Sequence, residues 1–164
     1  MVSSADAVAR EAAWLTAFDP ADGLPALHAS QGGPFDVIQG YVPRTPQQRR
    51  TQLYVIRQRL HEVRTAHVRR MARHHFQLRI VWPSSSPSGA AEAPQQALDD
   101  AIELVLLRVG GLMLDKTHGG RFLSVAEDPA EVVVDFADPT DSLPNRADLL
   151  CTVSYAADDP EING

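Results

Sequence analysis

The chain has 164 residues, 44% apolar and 22% charged, with 15 Lys+Arg against 21 Asp+Glu for a formal net charge of −6. That size and mix predict one domain, residues 1–164, with a buried core, and exclude wholesale disorder. No apolar run approaches the ~20 residues of a membrane span, Met1–Trp14 lacks the basic leader and apolar core of a secretory signal, and the lone Cys151 excludes an intramolecular disulfide or a Cys-based zinc site, so a soluble intracellular chain is expected.

Residues 4–18 are predicted to open the fold as a helix. Ser4 would be its N-cap, Val8, Ala12, Leu15 and Phe18 its apolar face, with Arg10 and Glu11 off that face. Pro20 and Gly23 would end it, and the Pro- and Gly-rich stretch 19–34 reads as an irregular linker. Phe35–Val42 is a short strand candidate closed by Pro43 and Pro46.

Thr51–Trp82 is predicted as a long β-hairpin arm, with strands near 51–62 and 69–82 and a tip around Arg64–His67. In FQLRIVW, Phe76, Leu78, Ile80 and Trp82 alternate with Gln77 and Arg79, the period of a strand. A helix across 48–73 is the competing reading of the same residues.

The Ser/Pro-rich stretch 83–93 is expected to be a flexible loop. A second helix follows, with Pro94 in its first turn. Leu98, Ala101, Ile102, Val105, Leu106 and Val109 would form its apolar stripe, Asp99, Asp100 and Glu103 would face away, and Gly110-Gly111 would stop it. Three strand candidates close the chain: 121–126, 131–136 and 149–156, the first two joined by a turn at Glu127–Pro129. The polar ending DDPEING is expected to fray. The predicted class is α+β, two helices packed on a mostly antiparallel sheet with a long extended β-hairpin arm.

Several residues invite a chemical reading. His61, His67, His74 and His75 are metal-ligand types, but they lack the spacing of a helical His pair and have no accompanying Glu. His74 and His75, adjacent on a strand, would point to opposite faces. Solvated or interface histidines are therefore expected. Asp115-Lys116-Thr117-His118-Gly119-Gly120-Arg121 resembles an acid–base string, yet reads better as a surface turn in which Asp and Thr bond local backbone. Cys151, in an alternating apolar strand, reads as a buried inert thiol. No catalytic, metal or cofactor set is assigned, and the chain is expected not to be an enzyme.

Charge is the unusual feature. Arg44–Val81 holds ten arginines and a single acid, Glu62, a net of +9, whereas the rest of the chain carries −15. Such a segment faces nucleic acid, the acidic surface of another copy, or solvent. Self-complementary assembly accounts for both halves at once and is preferred. A nucleic-acid-binding adaptor using Arg44–Arg79 is the alternative. The candidate interface comprises Arg57, Arg59, Arg64, Arg69, Arg70 and Arg73 on the arm and Asp99, Asp100 and Glu103 on the second helix.

The arginine-rich arm leading into HHFQLRIVWP, the helix AEAPQQALDDAIELVLLRVGG, the turn DKTHGGRF and the ending VSYAADDPEI together resemble the tail terminator (head–tail joining, or tail completion) proteins of long-tailed double-stranded DNA phages. The resemblance spans roughly residues 4–160. It implies a non-enzymatic virion protein at the tail–head junction, assembled in the host cytoplasm. Copies would form a ring, commonly of six, that stops tail-tube growth and docks on the head connector or stopper protein. DNA would pass through the lumen without sequence-specific binding, and no membrane or cofactor is implied. The extended 19–34 linker and the arginine load depart from a minimal member of that family.

Overall fold

The computed structural model describes residues 3–44, 50–66, 69–83, 92–111, 115–126, 131–137 and 148–162, with the backbone alone at 63–66, 69–70 and 160–162. Within these, two helices and six strands build an α+β fold: α1 (Ser4–Thr16), β1 (Val37–Gly40), β2 (Gln52–Ala66), β3 (Arg69–Pro83), α2 (Glu92–Gly110), β4 (Ser124–Val125), β5 (Val133–Phe136) and β6 (Asp148–Ile162). The expected turn at Glu127–Pro129, most of the 83–93 loop and His67 at the hairpin tip lie outside the described residues.

Where the competing helix over 48–73 is described, at 52–66 and 69–73, the chain is strand instead. β2 and β3 pair antiparallel along their length, from Gln52 opposite Val81 to Ala66 opposite Arg69. At ~3.3 Å per residue, fifteen-residue strands make an arm roughly 50 Å long. The arm is not a free two-stranded ribbon, because β6 accompanies β3 from Pro83–Asp148 to Arg69–Ile162. The sheet runs β1-β2-β3-β6-β4, with β5 also on β6, and the β1–β2 pair is parallel. The ending DDPEI is therefore strand rather than frayed tail as far as Ile162. The 121–126 and 131–136 segments yield only short strands, each pairing with β6.

Residues opposite one another in a ladder share a face, so the register sorts every side chain. Leu53 and Val55, Phe76, Leu78 and Ile80, and Cys151, Val153 and Tyr155 occupy one face, buried in a single cluster with Val8 and Leu15 of α1 and Leu98, Ile102, Val105 and Val109 of α2. Gln77, Arg79, Thr152 and Ser154 lie on the other, a polar alternation expected of a sheet with one face largely open, although Gln52 and Tyr54 at the start of β2 are buried on that same face. Gly40 lets α1 approach β1: a Cβ there would stand 2.7 Å from Val8 Cγ1. The 19–34 segment is more than a connection. It forms short 3-10 helices at Pro20–Asp22 and Ala29–Gln31, and seats Leu24 and Leu27 in the core.

The helix boundaries differ slightly from expectation. Ser3, not Ser4, caps α1, its Oγ accepting from the Asp6 N–H at 3.1 Å, and the helix ends at Thr16 with Ala17 as its C-cap, before Pro20. Phe18 and Leu106, expected on apolar faces, are both 37% exposed.

Glu11, expected to face away, is instead fully buried. Tyr155 donates its hydroxyl to Glu11 Oε1 at 2.6 Å. His118 Nδ1 meets Glu11 Oε2 at 2.9 Å, and its Nε2 meets the Val109 carbonyl at 2.9 Å. A carbonyl can only accept, so Nε2 carries a proton, and another lies between Nδ1 and Oε2. Thus α1, β6, the end of α2 and the loop before β4 meet at one carboxylate. Trp14 stacks on the His118 ring at 4.9 Å, and His118 adopts φ +51°, an uncommon value for a non-glycine residue. Removing one member of a fully buried pair leaves the other uncompensated, so His118→Ala is expected to lower the unfolding free energy by about 3–5 kcal/mol in urea denaturation. A loss of under ~1 kcal/mol would contradict this placement.

Candidate subunit interface

The arm's arginines differ in what they touch. Arg57 and Arg59 are exposed on β2. Arg57 lies over the Tyr41 ring, 5.4 Å from its centre, and donates to the Tyr41 hydroxyl at 3.2 Å. Arg64 and Arg70 are cross-strand neighbours near the tip, and Arg69 pairs with Ala66. Arg73 is only part-exposed: its Nε and Nη2 donate to Asp158 at 2.8 and 3.2 Å, a bidentate geometry that fixes the side chain. Farther along β3, Arg79 is exposed.

On α2, Asp99, Asp100 and Glu103 are exposed, as the helical period required, and Leu107 beyond them is 54% exposed. No ion pair among the described residues joins Arg57 or Arg59 to these acids, so within one chain the basic edge and the acidic helix face remain apart.

The residues that carry internal charge were not those singled out from sequence. Asp158 and Asp159, predicted to fray, are buried. Asp159 accepts from Arg10 Nη2 at 2.6 Å and lies 3.2 Å from His74 Nε2. Arg10 also pairs with Asp6 at 2.8 Å. His74, expected to be solvated or at an interface, is buried beside Phe76 and Phe122. The available signal was phase: His74 falls in step with Phe76 and Leu78, and Asp159 with Tyr155 and Ala157. Arg108, inside the apolar run of α2, is also buried. Its guanidinium donates to the carbonyls of Trp14, Ala17 and Pro25 at the C-terminal end of α1 and beyond, where a cation complements the helix dipole.

The acid–base string resolves into two parts. Asp115 accepts from the Thr117 N–H and hydroxyl, and Thr117 Oγ1 accepts from the Gly120 N–H, the local turn expected. Those bonds hold the Asp115 carboxyl below its ordinary range. His118, however, is buried against Glu11 instead of standing at the surface. A cavity of about 340 Å³ beside it is lined by Trp14, Phe18, Asp19, Asp22, Arg108 and Arg121. Its Arg108 Nη groups are committed to backbone carbonyls, and its Trp14 ring to contacts with His118 and Arg108. No group of three or more His, Cys, Asp or Glu is arranged to hold a metal ion among the described residues. Cys151 is buried, and burial with the charges of Asp135 and Asp99 pushes its thiol up to about 11. Ellman's reagent at pH 8 is expected to leave it unmodified in the folded protein and to titrate it once unfolded; rapid native modification would contradict its burial.

Burial lowers the His74 pKa more than Asp159 raises it, with the Arg10 charge adding to the lowering. A histidine depressed in the folded state contributes stability above its unfolded pKa, near 6.5, and that contribution is lost as pH falls through the folded value. Unfolding free energy is therefore expected to drop on acidification below about pH 6.5, by up to ~1.4 kcal/mol per pH unit per proton. His74→Gln should remove part of this slope. An unchanged slope in urea titrations at pH 5–7 would contradict the assignment.

Compared with protein-family models and with curated proteins, the chain finds no match.

Proposed function

We propose that this chain is a structural ring subunit of a long-tailed phage, a tail terminator that ends the tail tube and joins it to the head connector. The observation that carries the reading is charge segregation on one fold: an exposed basic strand edge bearing Arg57 and Arg59, and an exposed acidic helix face bearing Asp99, Asp100 and Glu103, with no ion pair joining them among the described residues. Two different patches, each complementary to the other, are what a heterologous contact needs, and such a contact closes into a ring when its rotation divides a full turn. Six copies is the number the resemblance implies.

The sheet adds support. Beyond Val55, the last β2 residue paired with β1, β2 has no strand on its outer side among the described residues. An unpaired edge is either blunted or covered by a partner. Arginines serve the first purpose in a monomer and the second when an acidic neighbour arrives.

In this role the chain is a structural part and not a catalyst, and its partners are copies of itself, the tube protein and the connector or stopper, with DNA passing through the lumen. Antibody labelling of purified particles should mark the head–tail junction, and cells producing particles without the chain should accumulate overlong, headless tails. Absence from the neck would overturn the reading. Retention of duplex DNA at ~50 mM salt that collapses by ~200 mM would instead favour the adaptor alternative, because several arginines on phosphates produce that steep salt dependence.

A further inference from the structure

The open face of the sheet carries a compact basic patch that depends on one irregularity. In the β2–β3 ladder Arg57 lies opposite Phe76, but the next matched residue on β2 is Arg59, opposite His75. An unbroken register would set Gln58 against His75 and send Arg59 and His61 to the covered face. The bulge shifts β2 by one residue, and a one-residue shift exchanges the faces. Arg59 and His61 thereby join His75 and Arg73 in two adjacent cross-strand pairs, Arg59–His75 and His61–Arg73, on the uncovered side.

Like charges placed directly opposite one another destabilise a sheet, so this arrangement is unfavourable without a counter-charge. Asp158 supplies one, bonded to Arg73. Glu131 lines a shallow groove of about 180 Å³ together with Gln58, Arg73, His75 and Ser154. The remaining field is basic: burial, then the charges of Arg59, Arg73 and His61, keep His75 below its ordinary pKa, with Asp158 acting the other way.

We propose that this patch is one half of a pH-responsive contact between copies of the chain, and that the acidic stripe Asp99, Asp100 and Glu103 of a second copy occupies it. The inference rests on the ring reading and deepens it by naming the two surfaces. Charge complementarity supports the choice of occupant, since these carboxylates are exposed and form no ion pair among the described residues. So does spacing: residues one helical turn apart lie roughly 5–6 Å from each other, close to the ~6.6 Å between alternate residues such as Arg59 and His61 on a strand.

The sign of the pH effect follows. Carboxylates over the patch favour the protonated form of His75, so the complex binds more protons than the free chains. Association strengthens as pH falls through the imidazole range.

Sedimentation of the full chain at pH 7.5 and 5.5, at one ionic strength, tests this. Self-association should be roughly tenfold or more tighter at pH 5.5, since one extra bound proton changes an association constant up to tenfold per pH unit. His61→Gln combined with His75→Gln should associate with the pH response flattened. Asp100→Lys combined with Glu103→Lys should weaken association at both pH values by at least about tenfold. Circular dichroism of each variant establishes that it is folded. A wild-type chain that is monomeric at both pH values, a pH response that survives the double histidine change, or association indifferent to the acidic substitutions each overturns the proposal. So does a 30-bp duplex that binds the wild type and not Arg59→Glu while self-association is unaltered. Labelling at the particle neck despite any of these results would leave the ring reading standing and remove only this contact.

Discussion

A buried carboxylate holds the two layers of this protein in place. Glu11 projects from α1 into the core and is met there by the Tyr155 hydroxyl and by His118, which also reaches the Val109 carbonyl at the end of α2. An isolated ionised carboxylate would be very costly at that depth, so each donor must be in position for the core to close. Both helices are thereby committed to the same side of the sheet. Among the described residues neither helix packs on the opposite side, where Gln77, Arg79, Thr152 and Ser154 lie and only Gln52 and Tyr54 at the start of β2 are fully buried.

Charge is then divided into spent and unspent portions. Asp158 and Asp159 near the end of β6 neutralise Arg73 and Arg10 and approach His74, tying the last strand to β3 and α1. Arg108 is spent on backbone carbonyls around the end of α1. Arg57 and Arg59 on β2 and Asp99, Asp100 and Glu103 on α2 have no such ionic partner among the described residues. Exposed pairs contribute little to folding, so this second set matters for association, where complementary potentials steer encounter and fix register.

The apolar period made much of the fold legible. Phe76 to Trp82 alternates cleanly, and Leu98, Ile102, Val105 and Val109 mark the inner face of α2. The polar members of the same periods were not legible. Glu11 sits between Ala7, Val8, Trp14 and Leu15 on the inward face of α1, but its type argued for solvent, since only a distant Tyr and His make its burial affordable. Asp159 likewise continues the inward phase of Cys151, Val153, Tyr155 and Ala157. The β2 bulge leaves no composition signal, yet it decides which face receives Arg59 and His61. For the candidate interface, sequence identified the two charge sets, while register determined how the arginines are distributed between faces.

The central claim is a heterologous contact: each copy offers one basic and one acidic surface to different neighbours. Mixing two variants tests it most directly. In one, Arg59→Glu and His61→Glu disable the basic surface; in the other, Asp100→Lys and Glu103→Lys disable the acidic one. Native mass spectrometry should find each variant unassembled alone and the mixture forming one-to-one dimers that grow no further, because only one intact contact can form. Mixtures that stay monomeric, or variants that still assemble alone, would contradict the account.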